Sequence, residues 1–116
     1  MTVEEAIERA SLLYPSSKEN NDLYGWLNEL EARICGEIHG CEYEEITSSS
    51  GARTLVVPDA YAELYPLYLM MKTDLANSDI ARFNNHSAVF NRAYADYANY
   101  KIRTGEPADT IYYTLP

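Results

Sequence analysis

Two aromatic stripes set what residues 55–100 can become. Tyr61, Tyr65 and Tyr68 recur at spacings of four and three, and Phe83, Phe90, Tyr94 and Tyr97 at seven, four and three. Each set therefore lies on one face of a helix. The whole chain holds 11 tyrosines and two phenylalanines. A tyrosine buries a large ring and keeps a hydroxyl that needs a partner, so this surplus suits surfaces half inside a fold and half inside an assembly. The stretch predicts two packed helices and carries no catalytic constellation.

A chain of 116 residues is one domain that buries about two thirds of its unfolded surface, so it needs no covalent staples. Its two cysteines, Cys35 and Cys41, fit a reduced intracellular protein at least as well as a disulfide framework. The start, MTVEEAIERA, is acidic where a secretory signal is basic, and the longest apolar run, LYPLYLMM, is far short of a membrane span. A soluble protein is expected, with no membrane partner. The net charge is -9, and it is uneven: 11 acids face three bases through Glu45, and seven face six from Ile46 onward. Phosphate binding needs basic groups that displace counterions, so ordinary DNA binding is not expected.

Local signals divide the chain. Thr2 and Glu5 form a capping box, opening a helix lined by Val3, Ala6, Ile7, Ala10 and Leu13. Tyr14-Pro15 ends it. A second helix, from Asn21 or Asp22 to His39, carries Leu23, Trp26, Leu27, Leu30, Ile34 and Ile38 on one face; Gly40 is its left-handed cap, and Glu29 and Arg33 are spaced for an ion pair. From Cys41 to Val57 the helical period vanishes, leaving a loose hairpin or a long ordered loop, a length that marks a candidate contact element.

Pro58-Asp59 opens a third helix, which Pro66 should kink or split after its first turn, with Leu64, Leu67, Tyr68, Met71 and Leu75 as its apolar face. Residues 76–79 read as a turn. Ile80 to Arg103 form a fourth helix with a soft point at Asn84-Asn85, stopped by Gly105 and Pro107. The fold expected is all-α: a small four-helix bundle over residues 1–105, a long loop or loose β-hairpin between helices two and three, and an extended tail over residues 106–116.

Chemical motifs are sparse. Cys35, His39 and Cys41 supply three donors where a structural zinc site wants four, so no metal is expected. His86 and Ser87 are adjacent, and adjacent helical residues point about 100° apart, which rules out a nucleophile–base pair between them. Asn85-His86-Ser87 is a glycosylation sequon without an export signal beside it. The glutamates of the first half read as a solvated face rather than an acid–base pair. No glycine-rich phosphate loop or dinucleotide fingerprint occurs, so neither an enzyme nor a cofactor is expected.

Three blocks carry a family resemblance: Leu55 to Tyr65 (LVVPDAYAELY), Tyr68 to Asn77 (YLMMKTDLAN), and Arg82 to Asn85 with Ser87 to Asn91 (RFNN, SAVFN). They resemble head–tail connector (neck adaptor) proteins of tailed phages and prophages of Gram-positive bacteria. About half the chain is covered; Pro66 departs from the pattern. The resemblance implies a helical bundle assembled as a ring, commonly dodecameric, beneath the portal protein, with a downstream neck or tail-completion protein as a further partner. The genome would pass through the lumen without specific binding, and the location would be the virion neck, after assembly in the host cytoplasm. By the same resemblance Ile111, Tyr112, Tyr113 and Leu115 of the tail would contact the portal or a neighbour. The loop and the fourth helix are the expected subunit contacts, through Arg53, Leu55, Val57, Tyr97 and Tyr100. A rival reading is a monomeric acidic helical regulator, a phage-encoded mimic of DNA charge. It accounts for the acidic half and leaves the neutral half and the aromatic tail unexplained.

Overall fold

A computed structural model of the chain describes residues 1–13, 20–47 and 49–104. Four α-helices carry the fold, as the periodicities predict: α1 (Val3–Leu13), α2 (Asn20–Ile34), α3 (Leu64–Ala76) and α4 (Ile80–Arg103). The capping box that starts α1 forms, with the Thr2 amide donating to Glu5 Oε1 at 3.0 Å and the Glu5 amide to Thr2 Oγ1 at 3.2 Å. Helix α2 runs on into a π-helical turn, Cys35–His39, which Gly40 closes at φ 62°. Only a residue without a Cβ takes that left-handed conformation at no steric cost.

Helix α3 is the central element, packed against α1, α2 and α4. Its buried residues are Leu64, Tyr65, Pro66, Leu69, Thr73 and Asp74, while Leu75 is exposed. The expected stripe of Leu67, Tyr68 and Met71 is only half-buried at the edge of the core. A helix surrounded on three sides has no single apolar face, so a one-stripe reading under-describes it. Pro66 is its third residue, inside the first turn, where amides lack helical partners in any case. A separate 3₁₀ turn, Asp59–Tyr61, precedes it, which is the split that the proline predicts.

The α3–α4 turn uses Ser78 at φ 57°. Asp79 then caps α4, accepting the Arg82 amide at 3.2 Å. Helix α4 passes through Asn84-Asn85 without a break, contrary to the expected soft point. Both asparagines are exposed, so their side chains face water. Packing of Phe90 and Tyr97 into the core holds the register beyond them. Among the described residues no helix is long and apolar enough to cross a membrane.

Candidate functional site

Residues 41–47 and 49–57 run as loop rather than as paired strands; the only strand-like pairing among the described residues is an isolated antiparallel bridge between Thr2 and Thr54. Two polar residues of α2, one helical turn apart, hold this loop. Asn28 donates to the Ile46 carbonyl at 2.7 Å and accepts the Ile46 amide at 2.6 Å. Its amide thus pairs with both backbone groups of one residue, as a neighbouring strand would. Glu31, 1% exposed, accepts the Val56 amide at 2.9 Å and the Tyr65 hydroxyl at 2.7 Å. That hydroxyl in turn accepts the Val57 amide at 3.1 Å. Burial pushes the Glu31 carboxyl above its ordinary range, with the Tyr65 and Val56 donors pulling the other way.

The inner side of the loop inserts Ile46, Leu55 and Val57 into the core. Leu55 and Val57 are 2% and 1% exposed, and Tyr97 is 1% exposed. These three expected subunit contacts are therefore corrected: their side chains belong to the subunit's own interior. Alternation along the extended segment points 55 and 57 inward together. Arg53 is half-buried and ties the loop to itself by donating to the Glu44 carbonyl at 2.6 Å. Tyr100 stays half-exposed against Tyr61, their ring centroids 4.7 Å apart. Ile111, Tyr112, Tyr113 and Leu115 lie outside the described residues.

A cluster of rings ties α4 to the rest. Tyr97 lies 5.4 Å from Tyr61 and 5.9 Å from His39, whose Nε2 is hydrogen-bonded to the Tyr97 hydroxyl at 2.7 Å. Burial, and then the nearby Lys101, lower the His39 pKa. A depressed basic group favours its neutral form in the fold, so its contribution is complete above the ordinary value and is lost as pH falls through the folded one. The urea midpoint is therefore expected to fall between about pH 7.5 and 5.5, across the ordinary histidine range, more in the native chain than in His39→Gln. Equal falls in both would remove His39 from this account.

The other groups weighed in the sequence are accounted for by geometry. His86 Nδ1 is hydrogen-bonded to the fully buried Asp74. Ser87 donates its hydroxyl to the Asn84 carbonyl at 3.1 Å, back along its own helix. Arg33 pairs with Glu37 at 3.2 Å in place of the expected Glu29. Glu29 instead meets Lys72 at 3.4 Å and the Tyr68 hydroxyl at 3.2 Å. Cys35 and Cys41 are free thiols, and no group of three ligating side chains is placed to hold a metal among the described residues.

The feature that periodicity missed is the outer face of α4. Ala81, Asn84, Asn85, Ala88, Val89, Asn91, Ala95 and Asn99 are all exposed there. Val89 is 52% and Ile102 76% exposed. Small side chains lose little rotamer entropy on contact, and lysine and the acids are depleted at interfaces while arginine is enriched. The charges α4 does carry are basic, with Arg82, Arg92, Lys101 and Arg103 against the single acid Asp96. Helix α1 exposes Glu4, Glu5 and Glu8, so the two faces are complementary in sign.

No protein-family description, curated protein or solved structure matches this chain. The connector resemblance rests on its residue blocks alone.

Proposed function

We propose that this chain is a structural subunit of a tailed-phage neck, a head–tail connector that assembles as a ring under the portal and joins head to tail, with no enzymatic role. The observation that carries this reading is the outer face of α4: rich in exposed alanine and asparagine, apolar at Val89 and Ile102, and net basic, with exposed Arg82, Arg92 and Arg103 against Asp96. A cyclic ring needs two different patches on each subunit that match head to tail. The basic α4 of one copy facing the acidic α1 of the next supplies such a match. Arg53 of the loop pinned by Asn28 and Glu31, and the half-exposed Tyr100 of α4, remain as contacts. The tail residues Ile111, Tyr112, Tyr113 and Leu115 are assigned to the portal by resemblance. The acidic chain would repel the phosphates of DNA passing through the lumen.

The test combines the purified protein with the portal ring from the same gene neighbourhood, followed by light scattering and negative-stain imaging. Ring-shaped density on the portal is expected. A strict monomer that leaves the portal bare and inhibits a nuclease would favour the acidic regulator. Arg92→Glu should keep the helical circular dichroism of the native chain and reduce ring assembly at least about tenfold, because like charges across an interface cost several kcal/mol. Undiminished assembly by that variant would exclude this face.

A further inference from the structure

We propose that Cys35 and Cys41 form a reversible dithiol–disulfide pair at the end of α2, a redox modification site that closes on contact with a small-molecule disulfide of the glutathione class. The π-helical turn Cys35–His39 adds a residue to the last turn of the helix, and Gly40 at φ 62° folds the chain back across it. As a result the amides of both Gly40 and Cys41 reach one acceptor, the Cys35 carbonyl, the second at 3.0 Å. With those two atoms in contact, covalent geometry caps the Cα separation just under about 7 Å, and any bend at the carbonyl shortens it into the span a disulfide bridges. A helix end closed in this way brings together the residues on either side of the left-handed cap.

Exposure divides the labour between them. Cys41 is exposed and Cys35 is 4% exposed, so an outside reagent meets Cys41. Its thiolate attacks one sulfur of the small disulfide, forming a mixed disulfide and releasing one thiolate. Cys35 then gives up its proton and attacks the Cys41 sulfur, expelling the second thiolate as the intramolecular bond forms. The two leaving thiolates take up the two protons that the cysteines lose; the protein dithiol is oxidised and the small disulfide is reduced to two thiols. Burial, and after it the neighbouring Cys41, pushes the Cys35 thiol up to about 12. The second influence disappears once Cys41 carries the mixed disulfide, and proximity favours closure. The bond would fasten the end of α2 to the first residue of the pinned loop.

The inference stands apart from the connector reading, since it rests on one helix end within a single subunit. Reduced full-length protein is incubated with glutathione disulfide, quenched in acid and weighed intact. The native chain is expected to lose about 2 Da, the two hydrogens of disulfide formation, without a glutathione adduct, and to recover its mass with dithiothreitol. Cys35→Ser should retain a single glutathione at Cys41. Cys41→Ser should react at least about tenfold more slowly, as a buried thiol does. A native chain that accumulates the glutathione adduct, forms interchain dimers or stays reduced overturns the proposal. That readout requires no variant to fold.

Discussion

Tyr97→Ala is expected to lower folding stability by about 4 kcal/mol, within the range of buried aromatic truncations. The ring is 1% exposed and packs against Tyr61, Tyr100 and His39, at centroid distances of 5.4, 6.1 and 5.9 Å. Removing it hollows the junction of α4, the 3₁₀ turn and the end of α2 at once, so neighbours on three separate segments cannot collapse together into the space. Tyr97→Phe keeps the ring and loses only the hydrogen bond to His39, at a cost of about 1 kcal/mol. Urea unfolding followed by circular dichroism separates the two. Equal, small losses for both variants would mean that the ring is not part of the core. The same pair of variants bears on assembly: if Tyr97 acted at a subunit contact, alanine would weaken the ring and spare the monomer.

Glu31→Ala is expected to cost about 3 kcal/mol. It leaves two buried donors, the Val56 amide and the Tyr65 hydroxyl, without their acceptor, each a loss of about 1–3 kcal/mol, and relief of a desolvated carboxylate returns part of that. Glu31→Gln keeps the shape and one acceptor oxygen and should lose less. The carboxyl's raised pKa fixes the sign of its pH dependence. Its contribution is complete below the ordinary glutamate value and falls as pH rises through the folded one. The native chain should therefore gain on Glu31→Gln as acid is added toward about pH 4.5. The exposed Glu5 and Asp59, whose pKa values are lowered, act in the opposite sense. A difference between native and Glu31→Gln that stays flat with pH would show the carboxyl to be solvated. Loss of the pin should also raise amide exchange at Val56 and Val57, while amides of α3 stay protected.

The helices were legible because periodicity and caps agreed. Thr2 with Glu5, Gly40, Pro58 and the 76–79 turn each mark a local boundary that depends on nearby backbone alone, and the structure places boundaries at all of them. What escaped was tertiary. Glu31 occupies a core position, four residues after Leu27 and three before Ile34, yet an acid in an apolar stripe is ordinarily assigned to the water side. Only the arrival of residues 55–57, more than twenty positions later, gives it donors and makes its burial tolerable. Leu55 and Val57 escape for the same reason: a loop residue's inward or outward direction depends on what lies beneath it, and one-dimensional spacing does not contain that. Tyr97 lies on the aromatic stripe of α4, and spacing alone does not say whether that stripe faces the core or a neighbour. The outer face of α4 was visible as a run of alanine and asparagine, but it reads equally as a solvated helix until Phe90 and Tyr97 show which side is covered.

The stitching of the first residues to the loop has a kinetic consequence. The Val3 amide bonds the Arg53 carbonyl, Glu4 bonds Gly51, and Leu55 returns a bond to Met1, at 3.0, 3.0 and 2.9 Å. Partners some fifty positions apart must meet before α1 can seat, and closing so long a loop slows folding. During synthesis α1 leaves the ribosome before α2, and the segment that receives it emerges only after α2 is complete. Until then the apolar side of α1, Val3, Ala6, Ile7 and Ala10, has no permanent cover. An element made before its partners is thus among the last to be locked in place.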